Sequence, residues 1–140
     1  MQEHIQNELA SFIANCDWEK IAPHFKEDAA YRVLDWVGCA VAGEHYPQVE
    51  IAQKYFIENG DQGNSTVIGH QIKCSPRTAA FLNGIAGHVC ELDDGHRTAI
   101  GHPGSIAVPT ALALGEHLNA SGADVLKAVI LGYEVFSRLG

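Results

Sequence analysis

The sequence has no basic run. Nine Lys+Arg stand against seventeen Asp+Glu, a formal net charge of −8 at pH 7. Nowhere do cations line up as a phosphate backbone or an anionic bilayer surface requires, so neither nucleic acid nor membrane is expected as a partner. An uninterrupted apolar stretch of about 18 residues, the length that spans a bilayer, is missing too. The opening MQEHIQNELA is acidic and polar, without the basic-then-apolar order of a secretory signal. Cysteines are few. Cys16, Cys39, Cys74 and Cys90 fall at irregular gaps with no CxxC pair, which argues against a zinc knuckle and for reduced thiols in a cytoplasmic chain. HExxH and DDxxD are absent, and no repeat or low-complexity linker divides the chain.

What remains is a 140-residue chain, 46% hydrophobic and 19% charged, a length and balance that fit one globular domain rather than a disordered segment. Apolar periodicity predicts an all-α, bundle-like fold of six helices with at most one short extended segment. Residues 4–16 carry Ile5, Leu9, Phe12, Ile13 and Cys16 at helical spacing; DWEKIAP connects, with Pro23 as a break. Residues 26–42 form the next helix, with Ala30, Val33, Leu34, Val37 and Val41 as its stripe, Gly38 permitting close helix approach and Gly43 at the C′ position. Pro47 opens a third helix to about Asn59, burying Val49, Ala52 and Phe56. STVIGHQIKC has β character but supports only a small hairpin. Ser75-Pro76 is an N-cap followed by Pro at N1, opening a helix that runs to Leu92, in which Gly84 and Gly87 leave room for a second backbone or a ligand. SIAVPTALALGEHLNAS is apolar nearly all round, so a buried helix is expected. Ser121 and Asp124 approximate a capping box for the last helix, which reaches the chain end with no stop signal, as a piece of a longer protein would.

Between the fourth and fifth helices stands AGHVCELDDGHRTAIGHPGS, residues 86–105, which gathers His88, His96, His102, Glu91, Asp93, Asp94 and Arg97. A polar cluster set between apolar segments is costly unless its groups are paired, so it reads as a site rather than a solvated loop. Gly95 and Gly101 are expected to make the tight turns. The backbone N–H groups at Gly104-Ser105, with the positive end of the helix they open, form a natural carboxylate cradle with His102 at its mouth. General acid–base work on a small carboxylic acid is the leading chemistry, since imidazole exchanges protons near neutral pH and a carboxylate can orient it. Metal binding by His88, Asp93, Asp94, His96 and His102 is the weaker reading, because their spacing fits no strong motif. Cys90 beside Glu91 reads as a structural thiol rather than a nucleophile. His4, His24, His45, His70 and His117 stand singly in polar or helical contexts, and Trp18 and Trp36 read as packing residues.

As an ordered set, AAFLNGIAGHVCELDDGH, GHPGSIAVPTALALGE and SGADVLKAVILGYEVFSRLG, with RVLDWVGCAVAG before them, resemble the MmgE/PrpD family over about residues 5–140. The family includes 2-methylcitrate dehydratase, cis-aconitate decarboxylase and iminodisuccinate epimerase. The resemblance implies a large helical domain, of which residues 1–140 are the N-terminal portion, and a separate lid domain that this chain lacks. It implies a dehydratase-like lyase or isomerase acting on a small di- or tricarboxylic acid, with no metal or organic cofactor. The family's histidine before Pro-Gly corresponds to His102, its paired aspartates to Asp93 and Asp94, and an acidic site residue to Glu91. His96, Arg97, Gly104 and Ser105 are then expected at the substrate. Gly95 stands where decarboxylase-type members carry Thr, and the loop to His102 is one residue longer, so dehydratase, decarboxylase and epimerase stay open. A homodimer, or docking with a missing C-terminal part, is the expected assembly, and the chain alone is expected to be nearly inactive. The alternatives are a non-catalytic helical module that docks onto a partner and a metal-binding helical domain.

Overall fold

A computed structural model describes residues 2–140, with side chains from His4 onward. Its elements are α1 (Gln2–Ala14), a short 3-10 turn (Trp18–Lys20), α2 (Pro23–Gly43), α3 (Pro47–Glu58), β1 (Ser65–Val67), β2 (Ile72–Cys74), α4 (Pro76–His88), α5 (Gly104–Leu118) and α6 (Gly122–Leu139). The chain is therefore all-α apart from one antiparallel hairpin, which pairs Ser65 with Cys74, Thr66 with Lys73 and Val67 with Ile72. Among the described residues no helix is long and apolar enough to cross a membrane.

The core is built on α4, which packs against α2 and α5, with α6 closing over α5 and α2. Ala29, Trp36 and Ala40 of α2 meet Ala86 of α4, Val108 and Ala111 of α5 and Val129 of α6. Small side chains let these backbones approach. A Cβ on Gly87 would strike the Trp36 indole, and one on Gly84 would press on the Ser105 carbonyl, as the glycine spacing in α4 predicted. Gly38 faces open space, however; Gly43 makes the close approach instead, backing onto the Ala86 carbonyl. Gly43 is also inside α2 rather than beyond it, with right-handed Glu44 as the cap.

Three further expectations are corrected by packing. Pro23 starts α2 instead of breaking the chain, because proline at the first helical turn loses no helical hydrogen bond. The buried stripe of α2 is Ala29, Trp36, Cys39 and Ala40, turned so that Leu34 and Val41 are 67% and 49% exposed; large Trp36 docking on Gly87 sets that rotation. α5 buries Val108, Ala111 and Ala113 but leaves Ile106, Leu114 and Leu118 exposed, so it is covered on one side only.

The hairpin is pinned by side chains from two helices. Asn83 of α4 accepts from Ile68 N (2.9 Å) and donates to the Thr66 carbonyl (2.9 Å). Glu116 of α5 accepts from Thr66 N and Thr66 Oγ1 (2.6 Å each) and from Lys73 Nζ (2.9 Å). Ser75 and Ser121 cap α4 and α6 as expected, their hydroxyls accepting from Thr78 N and Asp124 N.

Candidate active site

α4 stops at His88, earlier than its apolar pattern runs, and α5 starts at Gly104. Residues 89–103 form the loop between them. The two non-glycine residues that take positive φ here are Glu91 (51°) and Ile100 (49°). Gly95 and Gly101 do not take that conformation: Gly101 is needed because Phe136 leaves no room for a Cβ, and Gly95 faces open space. Left-handed backbone at a non-glycine residue, and at β-branched Ile100 above all, is strained and recurs where a site must be held in shape. An isolated antiparallel bridge joins His96 and Gly101 across the loop.

Asp93 is the loop's centre. Its side chain is fully buried. Ser105 Oγ donates to Oδ2 (2.6 Å), and His88 Nδ1 lies 3.0 and 3.2 Å from the two oxygens. Burial opposes the charge on Asp93, yet these hydrogen bonds and the two neighbouring imidazoles outweigh it and hold the carboxyl below its usual range. An ionised carboxylate only accepts, so His88 carries its proton on Nδ1. His102 Nδ1 lies 3.2 Å from Oδ2, within ion-pairing reach but off the direction a hydrogen bond needs; this buried nitrogen has no hydrogen-bond partner. The rings of His88 and His102 meet edge to face, centroids 4.6 Å apart. With both Nδ1 atoms turned to Asp93, Nε2 is the nitrogen each ring presents to a ligand.

His88, His102 and Ser105 line a cleft of about 700 Å³ walled by Phe81, Ile85, Val89, Ile106 and Pro109, with Gln48 at its edge. An apolar wall with a few convergent polar groups is the usual make-up of a small-molecule site.

Asp94 belongs elsewhere. Its Oδ1 accepts from Gly104 N (3.1 Å), the first backbone donor of α5, and its Oδ2 accepts from Arg32 Nη1 (3.1 Å). The expected anion cradle at the start of α5 is thus met by the chain's own carboxylate. Arg32 also donates to Asp28 (2.6 Å) and stacks over Tyr133, 4.8 Å from the ring centroid. Burial and the Asp94 charge push the Tyr133 hydroxyl well above its ordinary value. Arg32, Asp94, His96 and Tyr133 line a second cavity of about 330 Å³. A Cβ at Gly104 would meet both the Asp94 carboxylate and the Tyr133 hydroxyl, so glycine is required there.

The structure therefore brings Asp93, His102 and Ser105 together and places Asp94, Gly104 and His96 on the other side. His96 Nδ1 accepts from Ala99 N (3.0 Å), which makes it a turn-holder. Glu91 and Arg97 are exposed and in no ion pair among the described residues. Sequence reasoning underweighted His88 and missed Arg32 and Tyr133. The sequence carried faint signals: Asp28 and Arg32 are spaced as a helical i,i+4 pair, and Tyr133 lies in the GYEV segment. The ligand atoms of His88, Asp93 and His102 all lie within 4.8 Å of one another, the one group among the described residues with the spacing of a metal site.

Comparison with known proteins identifies the family. The MmgE/PrpD N-terminal domain matches residues 7–140, and the chain belongs to that family. It is 31% identical over 144 residues to a cis-aconitate decarboxylase-like protein oryM of Aspergillus oryzae, covering 98% of this chain and 30% of that protein. It is 32% identical to a cis-aconitate decarboxylase of Aspergillus terreus, covering 97% of this chain and 29% of the relative. A human cis-aconitate decarboxylase is 36% identical over 112 residues, 76% of this chain and 23% of the human protein. The chain thus spans less than a third of the length of these relatives.

Proposed function

We propose that this chain is the N-terminal part of the helical domain of a lyase that acts on a small di- or tricarboxylic acid of the cis-aconitate type by acid–base catalysis. The observation that carries the reading is the pair of imidazoles turned onto one buried carboxylate at the mouth of an apolar cleft. In a decarboxylation the bond from carbon to a carboxylate breaks, CO2 leaves, and the electron pair stays on carbon until a proton is returned. An imidazolium whose Nδ1 side faces Asp93 holds its charge next to the compensating carboxylate and offers the Nε2 proton to that carbanion. Ser105 and His88 keep Asp93 ionised and oriented. His102 is assigned the proton transfer, Asp93 the orientation of both rings, and Asp94 the placement of the α5 start. The names of the relatives favour loss of CO2 over loss of water, and nothing in the reading calls for a cofactor.

One wall is in this chain; the groups that bind the substrate's carboxylates from the other side are assigned to sequence beyond Gly140. The test is an NMR assay of cis-aconitate and methylcitrate with the 140-residue chain and with the protein extended through its coding continuation. Turnover is expected from the extended protein, with His102→Gln lowering kcat by about 10²–10⁴, and little or none from the chain alone. Full turnover by the isolated chain overturns the assignment of the second wall, and inertness of the extended protein toward every di- and tricarboxylate tried overturns the lyase reading. A second reading, a helical module that docks onto a partner, draws on the exposed line of Ile106, Leu114 and Leu118 along α5; an absent coding continuation and an obligate complex on size-exclusion chromatography with light scattering favour it.

A further inference from the structure

We propose that α1 is a self-association surface: its apolar stripe of Ile5, Leu9, Phe12 and Cys16 packs antiparallel against the same stripe of a second copy of this chain. The proposal stands on α1 and does not depend on the reaction assigned above.

Among the described residues, α1 puts no side chain into either core cluster, into the apolar cleft or into the second cavity. Its apolar side chains face outward instead: Ile5 is 55% exposed, Phe12 46% and Ile13 41%. A helix of 13 residues is marginal in water without a surface to pack on. Ser11, Phe12, Ile13 and Asn15 are not strong helix formers either. An apolar stripe on an otherwise polar helix that the fold leaves uncovered is the usual mark of a contact surface.

The stripe advances by four, three and four residues, the spacing of a coiled-coil seam. Cys16 belongs to it although α1 stops at Ala14, because the chain keeps turning: Asn15 N donates to the Ser11 carbonyl (3.0 Å) and Cys16 N to the Ile13 carbonyl (3.3 Å). This spacing reads the same from either end. A two-fold partner therefore sets Ile5 of each copy against Cys16 of the other, and Leu9 of each against Phe12 of the other, with no stripe residue left over.

Charge decides the direction. Glu3, His4 and Glu8 lie in the first half of α1, and residues 9–16 carry no charge. Antiparallel packing lays each charged half along the uncharged half of the other copy and brings helix ends of opposite dipole sign together. Parallel packing would gather all the acidic side chains of both helices at one end. Two four-residue stripes fall short of the roughly 1,200 Å² that stable interfaces bury, so the pair is weak, with an expected Kd of about 10 µM to 1 mM.

The experiment is sedimentation equilibrium of the 140-residue chain, kept reduced, at concentrations from about 5 µM to 1 mM. A monomer–dimer equilibrium in that range is expected. Phe12→Lys should weaken it at least about tenfold, and Leu118→Lys, on the exposed line of α5, should leave it within about twofold. Circular dichroism checks that Phe12→Lys leaves the helices formed, as its absence from the core predicts. Direction is read separately, with Ile5→Cys under mild oxidation and peptide mapping. The introduced thiol should link to Cys16 of the second copy, whereas the two native Cys16 thiols lie about 16 Å apart along an antiparallel pair and should not link. A chain that stays monomeric to about 1 mM, a dimer that Phe12→Lys leaves unchanged or that Leu118→Lys abolishes, or a Cys16–Cys16 link as the main product would each overturn the proposal.

Discussion

Asp93 and Asp94 are neighbours in the chain, and their carboxylates serve different cavities. Asp93 receives Ser105 Oγ at 2.6 Å and His88 Nδ1 at 3.0 Å, beside His102 on the apolar cleft. Asp94 receives Gly104 N and Arg32 Nη1, each at 3.1 Å, beside Tyr133. One orders the imidazoles; the other ties the first turn of α5 to α2. Substitutions at the two positions should therefore differ in kind. In the extended protein Asp93→Asn is expected to lower kcat by about 10²-fold or more with the imidazole pair disordered. Asp94→Asn should instead lower the melting temperature, by the loss of about 1–3 kcal/mol from a charged hydrogen-bond network, with a smaller effect on kcat. Steady-state kinetics and thermal unfolding on both variants check this, and equal kcat losses would sink the division of labour.

Acid should find the same carboxylate. Asp93 is held below its usual value: burial raises it, and Ser105, His88 and the imidazole charges more than reverse that. A carboxyl depressed in the folded state stabilises the fold above its unfolded value, about pH 3.9, and that contribution is lost as pH falls through the lower folded value. Urea unfolding of the chain and of Asp93→Asn from pH 7 to pH 2 should show the stability gap between them shrinking below about pH 4. A gap that stays constant through that window would mean that Asp93 is not ionised in the fold.

Gly104 and Gly95 make a matched pair. A Cβ at Gly104 runs into the Asp94 carboxylate and Tyr133 hydroxyl, whereas one at Gly95 meets nothing within 4 Å. Gly104→Ala is expected to cost about 1–3 kcal/mol by overpacking, and Gly95→Ala to lie within about 0.5 kcal/mol of the parent. Chemical denaturation distinguishes them.

Ile100 holds φ at 49° while 90% exposed. It bears the strain of left-handed backbone and gains almost no burial in return. Ile100→Asn should raise stability by about 1 kcal/mol, because asparagine tolerates that conformation. A fall in the melting temperature of the chain would mean that strain at this φ is not what Ile100 costs the fold.

The number and order of helices were legible in the sequence because apolar periodicity, the Ser75 and Ser121 caps and Pro47 and Pro76 at helix starts are local signals. The faces of those helices were less so. The stripe of α2 turned when Trp36 took the space above Gly87, a contact between residues far apart in sequence. α5 looked buried all round by composition, yet Ile106, Leu114 and Leu118 stay in the open, because what a helix buries depends on which neighbours are there to cover it.

The candidate site divides along the same line. The sequence by itself determined that residues 86–105 concentrate imidazoles and carboxylates ahead of a helix start, and which family motif they form. Only the tertiary structure decided which carboxylate serves which group. It raised His88 from a helix-end residue to a partner of Asp93, filled the α5 start with Asp94, and brought Arg32 and Tyr133 in from α2 and α6. The reason is reach: a hydrogen bond is settled within about 3 Å, and residues 62 positions apart, such as Arg32 and Asp94, come that close only once the helices between them have packed.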